Sequence, residues 1–227
     1  MLILALDTTH HGGSLALARE GEIVEVCAIE SPDGFGHTIY QEIEALLARH
    51  GVSLPEIDVY GAASGPGSFT GIRVSLSVVK AFAEVQGKKV VPVSNLVAMA
   101  FGAEGRFRAP VMDARREQIF AVVYDEALQT VIPETAMPWK EFLAVLGSRE
   151  VTFISTDPAL FDPSGIAPLP AQEGRPWKQS IISPLLAGPI ALLAGLRHQR
   201  GESVPPEAVD ANYVRRSDAE LNWKDPV

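Results

Sequence analysis

Leu2-Ile-Leu-Ala-Leu-Asp7-Thr8-Thr9 is the stretch on which the fold turns: an unbroken apolar run that ends in an acid and two hydroxyls. Successive apolar residues suit a strand covered on both faces, because alternation would leave one face for water. No basic segment precedes Asp7, so the run reads as a first strand and not as a secretory leader. A turn at His10-His11-Gly12-Gly13 follows, and alternation over residues 14–18 and 22–29 extends it into a three-stranded meander. Residues 31–34 are a loop. From His37 to residue 50 the apolar positions Ile39, Ile43, Leu46 and Leu47 fall at i, i+4, i+7 and i+8, a helical stripe stopped by Gly51. Residues 57–63 read as another strand, and 72–86 as a helix closed by Gly87.

The order then repeats. Residues 109–113, 118–124 and 128–132 are strand-like, 138–146 helical, 151–155 a strand and 184–200 a long helix. The first strand of each half ends in an acid, Asp7 and Asp113. Element order recurs; sequence does not. Two β-β-β-α-β-α halves predict an α/β molecule of two lobes, residues 1–105 and 106–227, with the seam at Gly102-Ala-Glu-Gly105. A ligand is expected in the crevice between the lobes.

Composition narrows the function. Of 227 residues 47% are apolar and 21% charged, a globular balance that excludes disorder. Lys and Arg number 19 against 28 Asp and Glu, and a net charge of −9 excludes an independent grip on a nucleic-acid backbone. One cysteine, Cys27, excludes an internal disulfide and multi-cysteine metal frameworks; it is expected buried in a strand. The uncharged stretch ahead of Arg197 is broken by Pro184, Gly188, Pro189 and Gly195. It is therefore expected as a buried helix, not a membrane span, and the chain is expected in the cytoplasm.

Gly65-Pro66-Gly67-Ser68-Phe69-Thr70-Gly71, between a strand and a helix, carries the strongest local signal. Its N–H groups and the helix N-terminus could hold an anion, or its glycines could let strand and helix pack closely. It is not a Walker loop, since Ile72-Arg73 follows Gly71, nor a Rossmann loop, whose sixth position here is Thr70. Asp7 and Thr8 sit where actin-like and sugar-kinase ATPases address a magnesium phosphate, although Asp-Thr also caps turns. The candidate phosphate or nucleotide contacts are Asp7, Thr8, Gly65, Gly67, Ser68 and Thr70. No two histidines have metal-ligand spacing, so the five are expected solvated or capping. No Gly-x-Ser-x-Gly elbow surrounds Ser14, Ser64 or Ser68. The pairs Arg115-Arg116 and Arg215-Arg216 could add weak phosphate contacts beside a partner's basic surface.

Leu4-Ala-Leu-Asp7-Thr-Thr9, His37 opening a helix, Gly65 to Arg73, Asp113-Ala-Arg-Arg116 and Tyr213-Val-Arg215 occur in that order. Over nearly the whole chain this resembles the TsaB family of the bacterial tRNA threonylcarbamoyladenosine pathway, long grouped with the glycoprotease-like proteins. The resemblance implies the actin-like ATPase, sugar-kinase and heat-shock-chaperone fold. The family's catalytic relative, TsaD, holds a metal through two histidines at i, i+4. Here the matching positions are Asn95 and Met99, and an amide with a thioether cannot replace two imidazoles on a hard or borderline divalent ion. What is implied is a non-catalytic dimerisation and activating subunit with no catalytic residue and no metal. It would pair with a TsaD-type subunit, dock a TsaE-type ATPase, meet tRNA only through the complex and form a homodimer when alone. No cofactor is implied beyond a nucleotide at the TsaD interface. The pairing face would comprise His37, Ile39, Tyr40, Ile43 and Leu47 on one helix and Arg73, Val74, Val78 and Phe82 on the other. Those stripes would equally serve an ordinary core. Val97 stands where many members have Glu, and Thr38 where they have Ser.

The alternative is an independent actin-like nucleotide-binding phosphotransferase or ATPase working at Asp7 and Thr8. Against it, Ala114-Arg115-Arg116 stands where a second phosphate loop would have glycines. A protease is supported by neither a nucleophile–base set nor a metal pair.

Overall fold

The N-terminal apolar run forms β1 (Leu2–Asp7), buried along its whole length at the centre of a five-stranded sheet. A computed structural model describes residues 1–10, 12–30, 34–36, 38–161 and 177–215. On one side of β1, β2 (Gly13–Arg19) and β3 (Glu22–Ile29) continue antiparallel; on the other, β4 (Val59–Gly65) and β5 (Lys89–Ser94) lie parallel. The second sheet contains β6 (Phe107–Arg115), β7 (Gln118–Asp125), β8 (Thr130–Pro138), β9 (Thr152–Ser155) and β10 (Lys178–Ile181). Its order, β8-β7-β6-β9-β10, and its strand directions repeat those of β3-β2-β1-β4-β5. The recurring element order is thus a recurring topology.

Helices stack these sheets into layers. α1 (Ile39–Arg49) and α2 (Phe69–Gln86) cover the outer face of the first sheet, and α4 (Trp139–Leu146) that of the second. Between the sheets lie α3 (Asn95–Phe101) and α5 (Ala187–Gln199). This explains the composition of β1: Leu2, Leu4 and Leu6 pack under α1 and α2, while Ile3 and Ala5 face the layer that holds α5. Small residues on α5 (Gly188, Ala191, Ala194, Gly195) bring its axis close to the first sheet. No described helix is long and apolar enough to cross a membrane.

Several expected boundaries move. α2 begins three residues before Ile72, because the Ser68 hydroxyl caps it by accepting from Gly71 N. α1 begins at Ile39; His37 and loop residues 31–33 lie outside the described residues. α3 was not legible as a helix: its first six residues are all buried, so no polar face marks a period. β10 escaped for the opposite reason, being a short edge strand of largely exposed residues. Cys27, expected buried, is half-buried on β3.

The division at 105/106 separates the sheets but not the packing. α3 lies against β6, β7 and β9 of the second sheet, whereas α5 lies across all five strands of the first. The chain after α5 also returns to the first lobe, where Val204 pairs with Val90 and Asn212 N donates to the Ser64 carbonyl at 2.7 Å. α5 thus packs on the first lobe, because its apolar flank has its complement on β1 and β4, and Asn212 beyond it bridges the lobes, its Nδ2 donating to Glu134 of β8 at 2.6 Å.

Candidate functional site: an inter-lobe cleft and a two-helix face

Asp7 ends β1 with its side chain turned inward. Oδ1 accepts from the Thr9 amide at 2.8 Å and the Thr9 hydroxyl at 2.6 Å; Oδ2 lies 3.4 Å from His10 Nδ1. Thr8 Oγ1 donates to the Gly71 carbonyl at 2.7 Å, and Ser68 N donates to the Thr9 carbonyl at 2.9 Å. Asn95 closes the set: Nδ2 donates to Thr9 Oγ1 at 2.5 Å and Oδ1 accepts from Gly65 N at 3.3 Å. The Asp7-Thr8-Thr9 corner and the glycine loop are therefore packed on each other. A methyl on Gly71 would overlap the Thr8 carbonyl oxygen, and one on Gly67 would come within 2.8 Å of Thr9 Cβ. The glycines serve close approach, the second of the two readings above.

Burial pushes the Asp7 carboxyl up, but the His10 imidazole 3.4 Å from Oδ2 and the Thr9 donors outweigh it and hold the carboxyl below the usual carboxylate range. Burial pulls His10 down, but Asp7 outweighs that and raises it. His10 is thus a half-buried partner of Asp7 at the edge of the cleft. His50 Nε2 meets Glu25 at 2.6 Å and His198 Nδ1 meets the Ser203 hydroxyl at 2.9 Å; His11 and His37 lie outside the described residues.

Between the lobes is a cleft of about 640 Å³, reached by His10, Gly67 and Ser68 from one side and by Asp113, Arg115 and Arg215 from the other. Asp113 is occupied: Oδ1 accepts from the Arg115 backbone amide at 2.7 Å and Oδ2 pairs with the Arg115 guanidinium at 3.1 Å. The turn beyond it holds Arg115, Arg116 and Glu117 all in the left-handed region, φ 62°, 56° and 59°, an uncommon run for residues with a Cβ. Of the six candidate nucleotide contacts only Gly67 and Ser68 line this cleft. Asp7, Thr8 and Gly65 are buried behind it and hydrogen-bonded within the chain, and Thr70 is exposed on α2. The residues do not fit a magnesium-phosphate address. Nor do Asn95 and Met99 fit a metal, since both ends of the Asn95 amide are engaged and Met99 is in the inter-sheet core. Among the described residues no group of three or more His, Cys, Asp or Glu side chains comes together.

The two-helix face is also rearranged. Ile39, Ile43, Leu47 and Val78 are core residues, buried against the first sheet, because the sheet uses that stripe first. What faces water is a second stripe beside it. Tyr40 is 51% exposed and its ring meets Phe82 edge-on at 5.9 Å; Val85 is 81% exposed. Val74, Ser77, Ala81 and Val85, at i, i+3, i+7 and i+11, run down α2 with no charged residue among them. Arg73 lies on the neighbouring flank, its guanidinium 3.9 Å above the Phe69 ring. Ala81 and Val85 were missed in the sequence, where the signal is this second apolar stripe next to the core one.

The family model described as TsaD: tRNA N6-adenosine threonylcarbamoyltransferase matches residues 34–152, just over half of the chain. Among curated proteins, the tRNA threonylcarbamoyladenosine biosynthesis protein TsaB of Haemophilus influenzae is 32% identical over 151 residues, 63% of this chain and 62% of that protein. This chain thus matches a little under two thirds of that relative's length. Among solved structures, a Pseudomonas aeruginosa protein described as similar to the peptidase YeaZ superposes with a TM-score of 0.79 at 24% identity. That match covers 94% of this chain and 99% of the other. An activator of 2-hydroxyisocaproyl-CoA dehydratase from Clostridium difficile, solved with bound ADPNP, superposes with a TM-score of 0.51 at 11% identity, over 93% and 100% of the two chains. At those identities the structural likenesses speak for the fold alone, which is the two-lobed actin-like ATPase fold.

Proposed function

We propose that this chain, which belongs to the TsaD tRNA N6-adenosine threonylcarbamoyltransferase family and stands with its TsaB members, is the non-catalytic dimerisation and activating subunit of a threonylcarbamoyladenosine-forming complex. The observation that carries the reading is the uncharged stripe of α2 beside Tyr40 and Phe82, an apolar face left in water by a lobe whose own core is complete. A TsaD-type subunit built on the same fold would offer equivalent helices, and four such helices bury both stripes. A two-fold pairing uses the same patch twice, so two copies of the stripe would cover each other and the chain alone would form a homodimer. The interior engagement of Asp7, Thr8 and Asn95 favours a supporting role over an independent phosphotransferase. A TsaE-type ATPase would dock on the pair, and tRNA would be met through the complex, in the cytoplasm.

The test is reconstitution of the modified adenosine from a TsaD-type subunit, a TsaE-type ATPase, threonylcarbamoyl-adenylate and tRNA. Product that needs this chain, and that the chain alone never makes, is the expected outcome. Full activity without it would overturn the reading.

A further inference from the structure

The flank of α2 next to the uncharged stripe has a different chemistry. Phe69, Arg73 and Lys80 recur at i, i+4 and i+11, and the segment after α5 runs beside them. Lys80 Nζ donates to the Val209 carbonyl at 3.1 Å, and Arg73 Nε donates to the Tyr213 hydroxyl at 3.3 Å. The Tyr213 ring stacks on Phe69 with centroids 5.3 Å apart and planes 28° from parallel, while the Arg73 guanidinium lies over Phe69. These rings are 43% (Phe69) and 46% (Tyr213) exposed, so much aromatic surface faces water. Two residues on, Arg215 donates to the Ala114 carbonyl at 2.5 Å at the rim of the cleft. Among the described residues neither Arg73 nor Arg215 is paired with a carboxylate, although the chain carries a net charge of −9.

Preset aromatic faces flanked by cations with no anionic partner are the chemistry that holds single-stranded nucleic acid: bases stack on the rings and phosphates meet the cations. A protein partner is served better by the uncharged stripe next door. We propose that Lys80, Arg73, the Phe69–Tyr213 pair and Arg215 form a contact strip for a single-stranded RNA segment, one base stacked on the ring pair and flanking phosphates on Arg73 and Arg215. The proposal rests on the tRNA-modifying role above. Two or three phosphate contacts give little affinity to an acidic chain alone, so the strip acts when a catalytic partner holds the rest of the RNA.

The experiment is fluorescence anisotropy of a labelled anticodon stem–loop RNA with the complex of this chain and a TsaD-type subunit, across a salt series. The wild type is compared with Phe69→Ala/Tyr213→Ala, Phe69→Trp and Arg73→Gln, each also run on a sizing column. Loss of both rings should weaken RNA binding roughly 5- to 100-fold, while Phe69→Trp, which keeps an aromatic face, should retain it. Arg73→Gln should lower the salt slope by about one. All variants should still enter the complex. Unchanged RNA affinity overturns the strip. Loss of the complex in the double variant also overturns it, assigning the rings to the protein partner. If the wild-type chain does not enter the complex, the earlier reading is what fails, and the strip, which acts only within that complex, is overturned with it.

Discussion

Gly71 shows how tightly the N-terminal corner is set. It sits inside the first turn of α2 against the Thr8 carbonyl, so any side chain there must push backbone from backbone. Gly71→Ala should therefore cost about 3 kcal/mol or more in denaturant unfolding, far above the cost of alanine at an ordinary helix position. The pair of buried Asp7 and half-buried His10 gives a pH signature. His10 is raised above 6.5, so its contribution is complete below that value and is lost as pH rises through the folded value. Asp7 is lowered from 3.8, so its contribution is present above that value and is lost as pH falls through the folded one. The wild type's thermal-stability margin over His10→Gln should therefore shrink as pH is raised from 6 into the alkaline range. A constant margin would mean that the imidazole acts by packing alone. The sequence marked Asp7 and the glycines as unusual but left their role open. What settles it is the contact between residues 8 and 71, which no local pattern encodes.

Each of the two outer helices of the first lobe presents two stripes to different neighbours. The buried one, Ile39, Ile43, Leu46 and Leu47 with Ile72, Leu76 and Val79, meets the sheet; the exposed one, Tyr40, Ser77, Ala81 and Val85 with half-buried Val74, meets solvent. Ile43→Glu should unfold the lobe, because it places an unpaired charge in the core at a cost of about 3–5 kcal/mol. Val85→Glu should leave the melting temperature within experimental error and abolish co-elution with a TsaD-type subunit on a sizing column. Should Val85→Glu co-elute normally, the partner binds elsewhere. Periodicity located both helices, but it scores apolarity without knowing which side the sheet occupies, so it favoured the buried stripe. At the end of α1, Glu25 accepts from Arg49 at 2.6 Å and from His50 at 2.6 Å, fastening the helix to β3. Those donors, Arg49 first, hold Glu25 below the usual carboxylate range.

At the scale of the molecule, α3 and α5 exchange sheets, and each lobe is completed by a helix from the other half of the chain. Truncation before α5 should strip the inner face of the first sheet and abolish its amide-exchange protection, even though β1 to β5 remain in the chain. A first sheet that kept its protection would show that the N-terminal half folds alone. The number and kind of most strands and of four helices, their repeated order and the two-lobed α/β class were legible in the sequence, because alternation and helical period are local consequences of burying one face. The family's motifs pointed to the pathway. Hidden from the sequence were α3, whose buried surround leaves no period, and the return of α5 to the first lobe. Also hidden were the stripe of α2 that stays in water and the stacking of Phe69 on Tyr213, 144 positions further along the chain. These depend on which distant surfaces meet; local pattern fixes what each segment must bury, and only tertiary packing chooses the surface that buries it.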